Sequence, residues 1–87
     1  LNNYQLSTTN SQFVVYPNPA HSTINIKIDR LVGNGKVVVT DLFGKQLSQQ
    51  TLSIGNNTID VSNFAKGMYL VTIVTEQGSE TRKVVVE

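Results

Sequence analysis

The sequence contains no cysteine, no tryptophan and little charge of either sign, with seven Lys and Arg against six Asp and Glu in a chain of 87 residues. Without cysteine, neither a disulfide framework nor a thiolate metal site can hold so small a fold together, so apolar packing must do it. The basic residues are spread from Lys27 to Lys83 without clustering, which predicts no nucleic-acid partner. A chain of this length has room for one domain.

Long hydrophobic runs are also missing. No apolar stretch approaches the ~20 residues that a membrane-spanning helix needs, so we expect no membrane insertion by this chain itself. Leu1 opens a polar stretch that lacks the basic and apolar regions of a secretory signal peptide. Because the chain begins without a Met, we expect it to be a piece of a longer polypeptide.

Groups that could carry chemistry are few. The single histidine, His21, lies in a Pro-Ala-His-Ser segment, where a catalytic or metal-binding role would need a nucleophile or ligands brought from elsewhere in the fold. The acidic residues are scattered and form neither the D-x-D spacing of a calcium loop nor an obvious carboxylate pair: Asp29, Asp41, Asp60, Glu76, Glu80 and Glu87. We therefore expect no catalytic site, no metal, no cofactor and no small-molecule substrate.

Three local patterns have a structural interpretation as well as a functional one. Gly33-Asn34-Gly35 precedes a strand rather than a helix, which favours a turn over a phosphate-binding loop. Asn56-Asn57-Thr58 matches the N-glycosylation triplet but is interpreted as turn chemistry. The aromatic residues at strand ends favour core packing over a sugar-binding platform: Phe13, Tyr16, Phe43, Phe64 and Tyr69.

The chain divides at Phe13. Residues 1–12 are polar, show neither a helical nor a strand period, and are expected to be a linker to an upstream cargo. Residues 13–87 are rich in Val, Ile and Thr, which suit a pleated sheet. Turn signals at intervals of about ten residues are the spacing of a sandwich or barrel. The predicted strands are residues 13–16, 23–29, 36–41, 46–52, 57–61, 68–75 and 80–86.

The strand pattern predicts an all-β domain, a seven-stranded Ig-like antiparallel β-sandwich. Ile24, Ile26 and Ile28 share one face of a strand, and a single open sheet would leave that face in water. The Cys pair and the Trp of antibody domains are absent, so the similarity is architectural.

The sequence predicts the conformation of three connections between strands. Asn34-Gly35 is expected to form a type I′ turn between the second and third strands. Asp41 to Lys45 has the form of a three-residue hairpin loop with Gly44 in the left-handed conformation. Residues 62–67 fit a single helical turn that Ser62 caps and Gly67 ends.

Four short motifs follow one another from Phe13 to the last residue. They are Tyr16-Pro17-Asn18-Pro19-Ala20, Asp41-Leu42-Phe43-Gly44-Lys45, Gly67-Met68-Tyr69-Leu70-Val71 and Lys83-Val84-Val85-Val86. Asn-Pro turns and Gly-Lys hairpins are common singly, whereas their order and spacing here closely resemble the type A C-terminal sorting domain of the type IX (Por) secretion system.

The resemblance implies a folded secretion signal at the C-terminus of a larger cargo protein of Gram-negative bacteria, and not an enzyme. In the family, the cargo crosses the inner membrane by an N-terminal signal peptide. The folded domain is then recognised in the periplasm for passage through the outer membrane. The implied partners are the outer-membrane translocon, a shuttle protein and a surface sortase. The sortase usually removes the domain, and the cargo is anchored to an anionic lipopolysaccharide at the cell surface or is secreted.

Several residues of the motifs also have a physical role in the predicted fold. Pro17 and Pro19 fix φ at about −65° and turn the chain sharply. Tyr69 should fill the core while its hydroxyl finds a polar partner. The residues that match the family motifs are Tyr16, Pro17, Asn18, Pro19, Asp41, Gly44, Lys45, Gly67, Tyr69, Val71, Lys83, Val84, Val85 and Val86.

Recognition is expected at the last strand. Val84 and Val86 should face one side and Val85 the other, and the free N–H and C=O groups of this strand could pair with a receptor strand. Arg82 and Lys83 are expected to be the exposed charges that the receptor reads. The alternative function is an Ig-like or fibronectin-like spacer, or a glycan-binding module, of a secreted enzyme.

Overall fold

The computed structural model describes residues 13–31 and 33–87, and the linker expected at residues 1–12 lies outside them. Within the described residues the secondary structure consists of strands β1 (Phe13–Tyr16), β2 (Thr23–Ile28), β3 (Gly35–Thr40), β4 (Gln46–Thr51), β5 (Gly55–Asp60), β6 (Gly67–Thr75) and β7 (Gly78–Val86). Every predicted strand is present, with ends that differ by at most two residues. Across this part of the chain no helix has the length and apolar character to span a membrane.

The strands form two antiparallel sheets. The three-stranded sheet A has the order β1-β2-β5, and the four-stranded sheet B has the order β4-β3-β6-β7. The predicted seven-stranded antiparallel sandwich is therefore confirmed. Because β2 and β3 lie in different sheets, as do β4 and β5 and also β5 and β6, the chain crosses between the sheets three times.

The core lies between the sheets and follows from alternation along the strands. Ile24, Ile26 and Ile28 are buried on β2, while Asn25 is half-buried and Lys27 exposed on the other face. Burying each Val or Ile side chain contributes about 1.5–3 kcal/mol. The buried apolar residues are Ala20, Ile24, Ile26, Ile28, Val37, Val39, Leu52, Ile59, Val61, Tyr69, Val71, Ile73, Val84 and Val86.

The hairpin between β3 and β4 has the predicted loop. Asp41 N–H donates to the Lys45 carbonyl at 3.0 Å, and Gly44 N–H donates to the Asp41 carbonyl at 3.1 Å. Gly44 has φ of 89°, which is the left-handed region that favours glycine. The three-residue loop is confirmed.

The connection between β2 and β3 differs from the predicted type I′ hairpin. These strands belong to different sheets, because the apolar face of β2 has to oppose that of β3 rather than lie beside it. The positive φ of 71° falls on Gly33, and Asn34 does not have one. Asn34 N–H instead donates to the Glu76 carboxylate at 3.1 Å, which ties this crossing to the β6–β7 hairpin.

The connection between β5 and β6 is a turn without the predicted helical turn. The Ser62 hydroxyl and N–H both donate to the Asp60 carboxylate, at 2.6 and 2.9 Å, and Phe64 N–H donates to the Val61 carbonyl at 3.0 Å. Both hydrogen bonds from Ser62 lower the pKa of the Asp60 carboxyl, and the bond from the Ser62 hydroxyl has the larger effect. Ser62 therefore serves as a donor to Asp60 in this segment, which carries the chain from one sheet to the other.

Asn57 is a buried polar residue that lies within β5, not in the turn predicted for Asn56-Asn57-Thr58. Its side chain is 6% exposed. The amide nitrogen donates to the carbonyls of Ile26, at 3.2 Å, and Ser53, at 2.9 Å, while the amide oxygen accepts from Ser53 N–H at 3.0 Å. One side chain thus fixes the crossing from β4 to β5 against β2.

We expect Asn57→Ala to lower the free energy of unfolding by about 2–3 kcal/mol, because the Ser53 N–H and the Ile26 carbonyl lose a partner in a buried site. Urea denaturation with an unchanged m-value measures the loss. Asn56→Ala is the matched control, since Asn56 is the exposed neighbour on the same strand. Equal losses in the two variants would contradict a special role for the buried amide.

Candidate functional site

The strand register gathers the four sequence motifs at one end of the sandwich. Thr40 of β3 pairs with both Gln46 and Leu70, so the loop at residues 41–45 lies beside the start of β6. Met68 pairs with Val85, which places the end of β7 there as well. We call this region, residues 16–20, 41–45, 67–71 and 83–87, the motif end.

Asn18 joins the first motif to the last through both atoms of its side-chain amide. The amide nitrogen donates to the Lys83 carbonyl at 3.2 Å, and the amide oxygen accepts from Val85 N–H at 3.0 Å. These are bonds that a neighbouring strand would make to the outer edge of β7. Pro17 and Pro19 flank Asn18 and are exposed, and the peptide bonds before both prolines are cis.

Ala20 continues this edge with its backbone. Its N–H donates to the Val85 carbonyl at 2.7 Å, and its carbonyl accepts from Glu87 N–H at 2.8 Å, in a parallel bridge to Val86. The Ala20 side chain is buried in the core. His21, beside it, is exposed, with Nδ1 at 3.3 Å from the Glu87 carbonyl.

The terminal strand was expected to offer free backbone groups, and over residues 83–87 this expectation is wrong. Although β7 is an edge strand of sheet B, the Lys83 carbonyl, both Val85 backbone groups and Glu87 N–H bond to residues 18 and 20. The physical reason is that an unpaired strand edge invites uncontrolled pairing, and the proline-flanked loop covers it.

The side chains of β7 alternate as predicted for its valines. Val84 and Val86 are buried, whereas Val85 is half-buried on the outer face of sheet B. Lys83 is exposed on that same outer face, where it pairs across with Leu70. Any partner that approaches this face meets the Lys83 ammonium.

Arg82 lies on the opposite face of β7 from Lys83. Its side chain is half-buried, forms an ion pair with Glu80, and places the guanidinium carbon 4.5 Å from the centre of the Phe13 ring. Because successive strand residues point to opposite faces, the two basic residues cannot both be surface charges on one side. Arg82 connects sheet B to β1 of sheet A.

Tyr69 and Val71 are in the core, as predicted. The Tyr69 ring packs against Phe64 with centroids 5.2 Å apart, and its hydroxyl donates to the Ala65 carbonyl at 2.5 Å. The predicted polar partner of the hydroxyl is therefore present. Gly67 is the first residue of β6.

Asp41 orders the loop at residues 41–45 with its side chain. Its Oδ1 atom accepts from Phe43 N–H at 2.8 Å and from Lys45 N–H at 2.9 Å. The loop lies beyond the last paired residues of β3 and β4, and Phe43 is 96% exposed. The core position expected for Phe43 is wrong, whereas Phe13 and Phe64 pack against the core.

The core position expected for Tyr16 is also wrong: the residue is 40% exposed, and its hydroxyl donates to Asn56 Oδ1 at 2.9 Å on the outer face of sheet A. Tyr16 belongs to β1 and Phe43 to the β3–β4 hairpin, so these two rings lie on different sheets. Among residues 13–31 and 33–87 no group of three His, Cys, Asp or Glu side chains could hold a metal ion.

Comparison with known proteins identifies a family and a similar fold. The family model described as "Secretion system C-terminal sorting domain" matches residues 14–87. A solved structure of PorZ, an essential bacterial surface component of the type-IX secretion system of Porphyromonas gingivalis, has a similar fold, with a TM-score of 0.67 and 19% sequence identity. The similarity covers 93% of this chain and 12% of that one. No curated protein matches the chain.

We expect Asn18→Ala to lower the free energy of unfolding by about 1–2 kcal/mol and to accelerate hydrogen exchange of the Val85 amide, because both side-chain bonds to β7 are lost. Amide exchange followed by NMR measures this. Asn18→Asp is the matched control, since its carboxylate still accepts from Val85 N–H but cannot donate to Lys83. Unchanged Val85 exchange in Asn18→Ala would contradict the role given to Asn18.

Proposed function

The chain belongs to the family of secretion system C-terminal sorting domains, and we propose that it carries an attached cargo through the outer membrane by presenting the motif end to the type IX machinery. Its function is that of a type IX sorting signal, and the family consists of sorting domains rather than enzymes. Such a signal implies export to the cell surface or secretion.

The four motifs lie together at one end of the sandwich, and this observation supports the proposal that recognition occurs at the motif end. Asn18 and Val85 are 67 residues apart in sequence, yet they are joined by a hydrogen bond. A receptor that contacts this end therefore contacts residues from the first and last motifs together. No single linear segment of the chain offers the same surface.

Lys83 is the charged group through which we propose that the partner is recognised. It is exposed beside Met68, Leu70 and Val85, which lie on the same outer face of sheet B. A complementary acidic group on a shuttle protein or an outer-membrane translocon would steer the encounter and fix its orientation. Arg82 supports this surface from the other face of β7.

The proposed export route begins in the periplasm, where the folded domain is bound, and ends with cleavage by a surface sortase. The fold supports a cleavage site within or just before residues 1–12. Phe13 opens β1 and pairs with Ile28, so cleavage after that point would cut a paired strand, whereas proteases act on accessible extended backbone.

We expect residues 1–87, fused to the C-terminus of a periplasmically targeted fluorescent reporter, to place the reporter on the surface or in the medium of a bacterium with the type IX system. A strain without the type IX translocon is the control. Retention of a folded fusion in the periplasm of the competent strain would count against the proposal. Mass spectrometry of the released domain locates the cut, and a new N-terminus beyond Tyr16 would contradict the proposed boundary.

We expect Lys83→Glu to fold normally, with a change in unfolding free energy of about 0.5 kcal/mol or less, and to be exported several-fold less than the wild type. Lys27→Glu, an exposed charge reversal on sheet A, is the matched control and should be exported normally. Arg82→Glu should instead destabilise the domain by about 1–2 kcal/mol, because it sets two carboxylates together and removes the contact with Phe13. Wild-type export and melting temperature of Lys83→Glu would exclude Lys83 from recognition.

A further inference from the structure

The tip of the β3–β4 hairpin exposes two large apolar side chains next to each other. Phe43 is 96% exposed and Leu42 56% exposed, and Phe43 is the most exposed large hydrophobic residue among residues 13–31 and 33–87. Neither side chain contributes to the core. An aromatic ring left in water gives no stability to the isolated domain, and the adjacent Leu42 extends it to a small apolar patch of the kind that a partner can cover.

The backbone beneath these side chains is fixed before any partner arrives. Asp41 Oδ1 accepts the N–H groups of Phe43 and Lys45, and the Asp41 and Gly44 backbone bonds close the loop. An anchor on an ordered loop loses less conformational entropy on binding than one on a loose loop. The hairpin therefore presents Leu42 and Phe43 in one arrangement.

The tip also lies on the same end of the sheet as Lys83. Thr40, the last residue of β3, pairs with Leu70, and Leu70 pairs with Lys83. A protein surface that binds Lys83 through an acidic group is thus directed toward the end that bears the hairpin tip. This continuity relates the apolar side chains to the surface proposed for recognition.

We propose that Leu42 and Phe43 are an apolar anchor that inserts into an apolar pocket of the type IX protein that recognises this domain. The proposal rests on the proposed function and adds the chemistry of the partner surface. Buried aromatic residues dominate many protein interfaces, surrounded by polar contacts that add orientation. Here Phe43 supplies the buried contact and Lys83 the orienting charge.

A protein pocket fits these residues better than a membrane. Stable attachment to an anionic bilayer requires a larger apolar face or a cluster of basic residues. The hairpin offers two apolar side chains, one lysine and the Asp41 carboxylate, and the chain has a net charge of only +1.

The experiment compares export of the reporter fusion carrying Phe43→Ser, Phe43→Leu or Ile54→Ser. Ile54 is 65% exposed and lies after β4, at the opposite end of sheet B, so it is a matched control for removal of an exposed apolar side chain. All three variants should keep the wild-type melting temperature, since none is in the core. We expect export to fall about tenfold for Phe43→Ser, to fall less for Phe43→Leu, and to stay normal for Ile54→Ser.

Wild-type export of Phe43→Ser would overturn the anchor. An equal fall in Phe43→Ser and Ile54→Ser would also overturn it, because general loss of apolar surface would then explain the effect. Export of the unmodified fusion tests the proposed function separately, so either result leaves the sorting function standing.

Fluorescence of the variant Phe43→Trp distinguishes a protein partner from a membrane. Because the natural chain has no tryptophan, the signal comes from position 43 alone. When vesicles of phosphatidylethanolamine and phosphatidylglycerol are added, we expect the tryptophan fluorescence to remain that of a water-exposed indole. A blue shift would show that the side chain inserts into lipid and would overturn the proposal of a protein pocket. Sedimentation of the wild-type domain should show a monomer. If the wild-type domain self-associates and Phe43→Ser abolishes this, the partner that covers Leu42 and Phe43 is a second copy of the chain, and the proposal is overturned.

Discussion

The hydrogen bonds from residues 18 and 20 to the outer edge of β7 are the constraint on which the motif end depends. They replace the missing neighbour of an edge strand with one side-chain amide and one short backbone bridge. Because Ala20 is buried while it makes these bonds, the loop is fixed to the core and to the strand at once. Without them, the backbone of β7 at this end of the sandwich would be hydrogen-bonded to β6 alone.

Alternation along β7 separates the side chains that pack inside the sandwich from those on the surface proposed for recognition. Val84 and Val86 hold the strand to the core, Arg82 connects it to Phe13 across the sandwich, and Lys83 and Val85 remain on the outer face. One strand thus contributes to the core with one face and to the surface proposed for recognition with the other.

Periodicity and turn chemistry were sufficient to predict the strands, the loop around Gly44 and the core position of Tyr69, because these depend on neighbouring residues. They failed for Asn34-Gly35, where the choice between a hairpin and a crossing depends on which apolar faces meet. They also failed for Phe43 and Tyr16, whose residue types favour burial, although Phe43 lies beyond the last paired residues of β3 and β4 and Tyr16 lies on the outer face of sheet A. The bonds of Asn18 and Asn57 were missed because a side-chain amide gives no sequence signal for a partner in a distant segment.

The bridge between Ala20 and residues 85–87 has a consequence for the order of folding. The β6–β7 hairpin closes locally, whereas the contact of residues 18–20 with residues 83–87 closes a loop that spans most of the domain. Long-range closures of this kind are entropically costly and depend on prior assembly of the intervening strands. If recognition occurs at this surface as proposed, the surface is completed only after the intervening strands have assembled, and a partner that binds it would select chains that have finished folding.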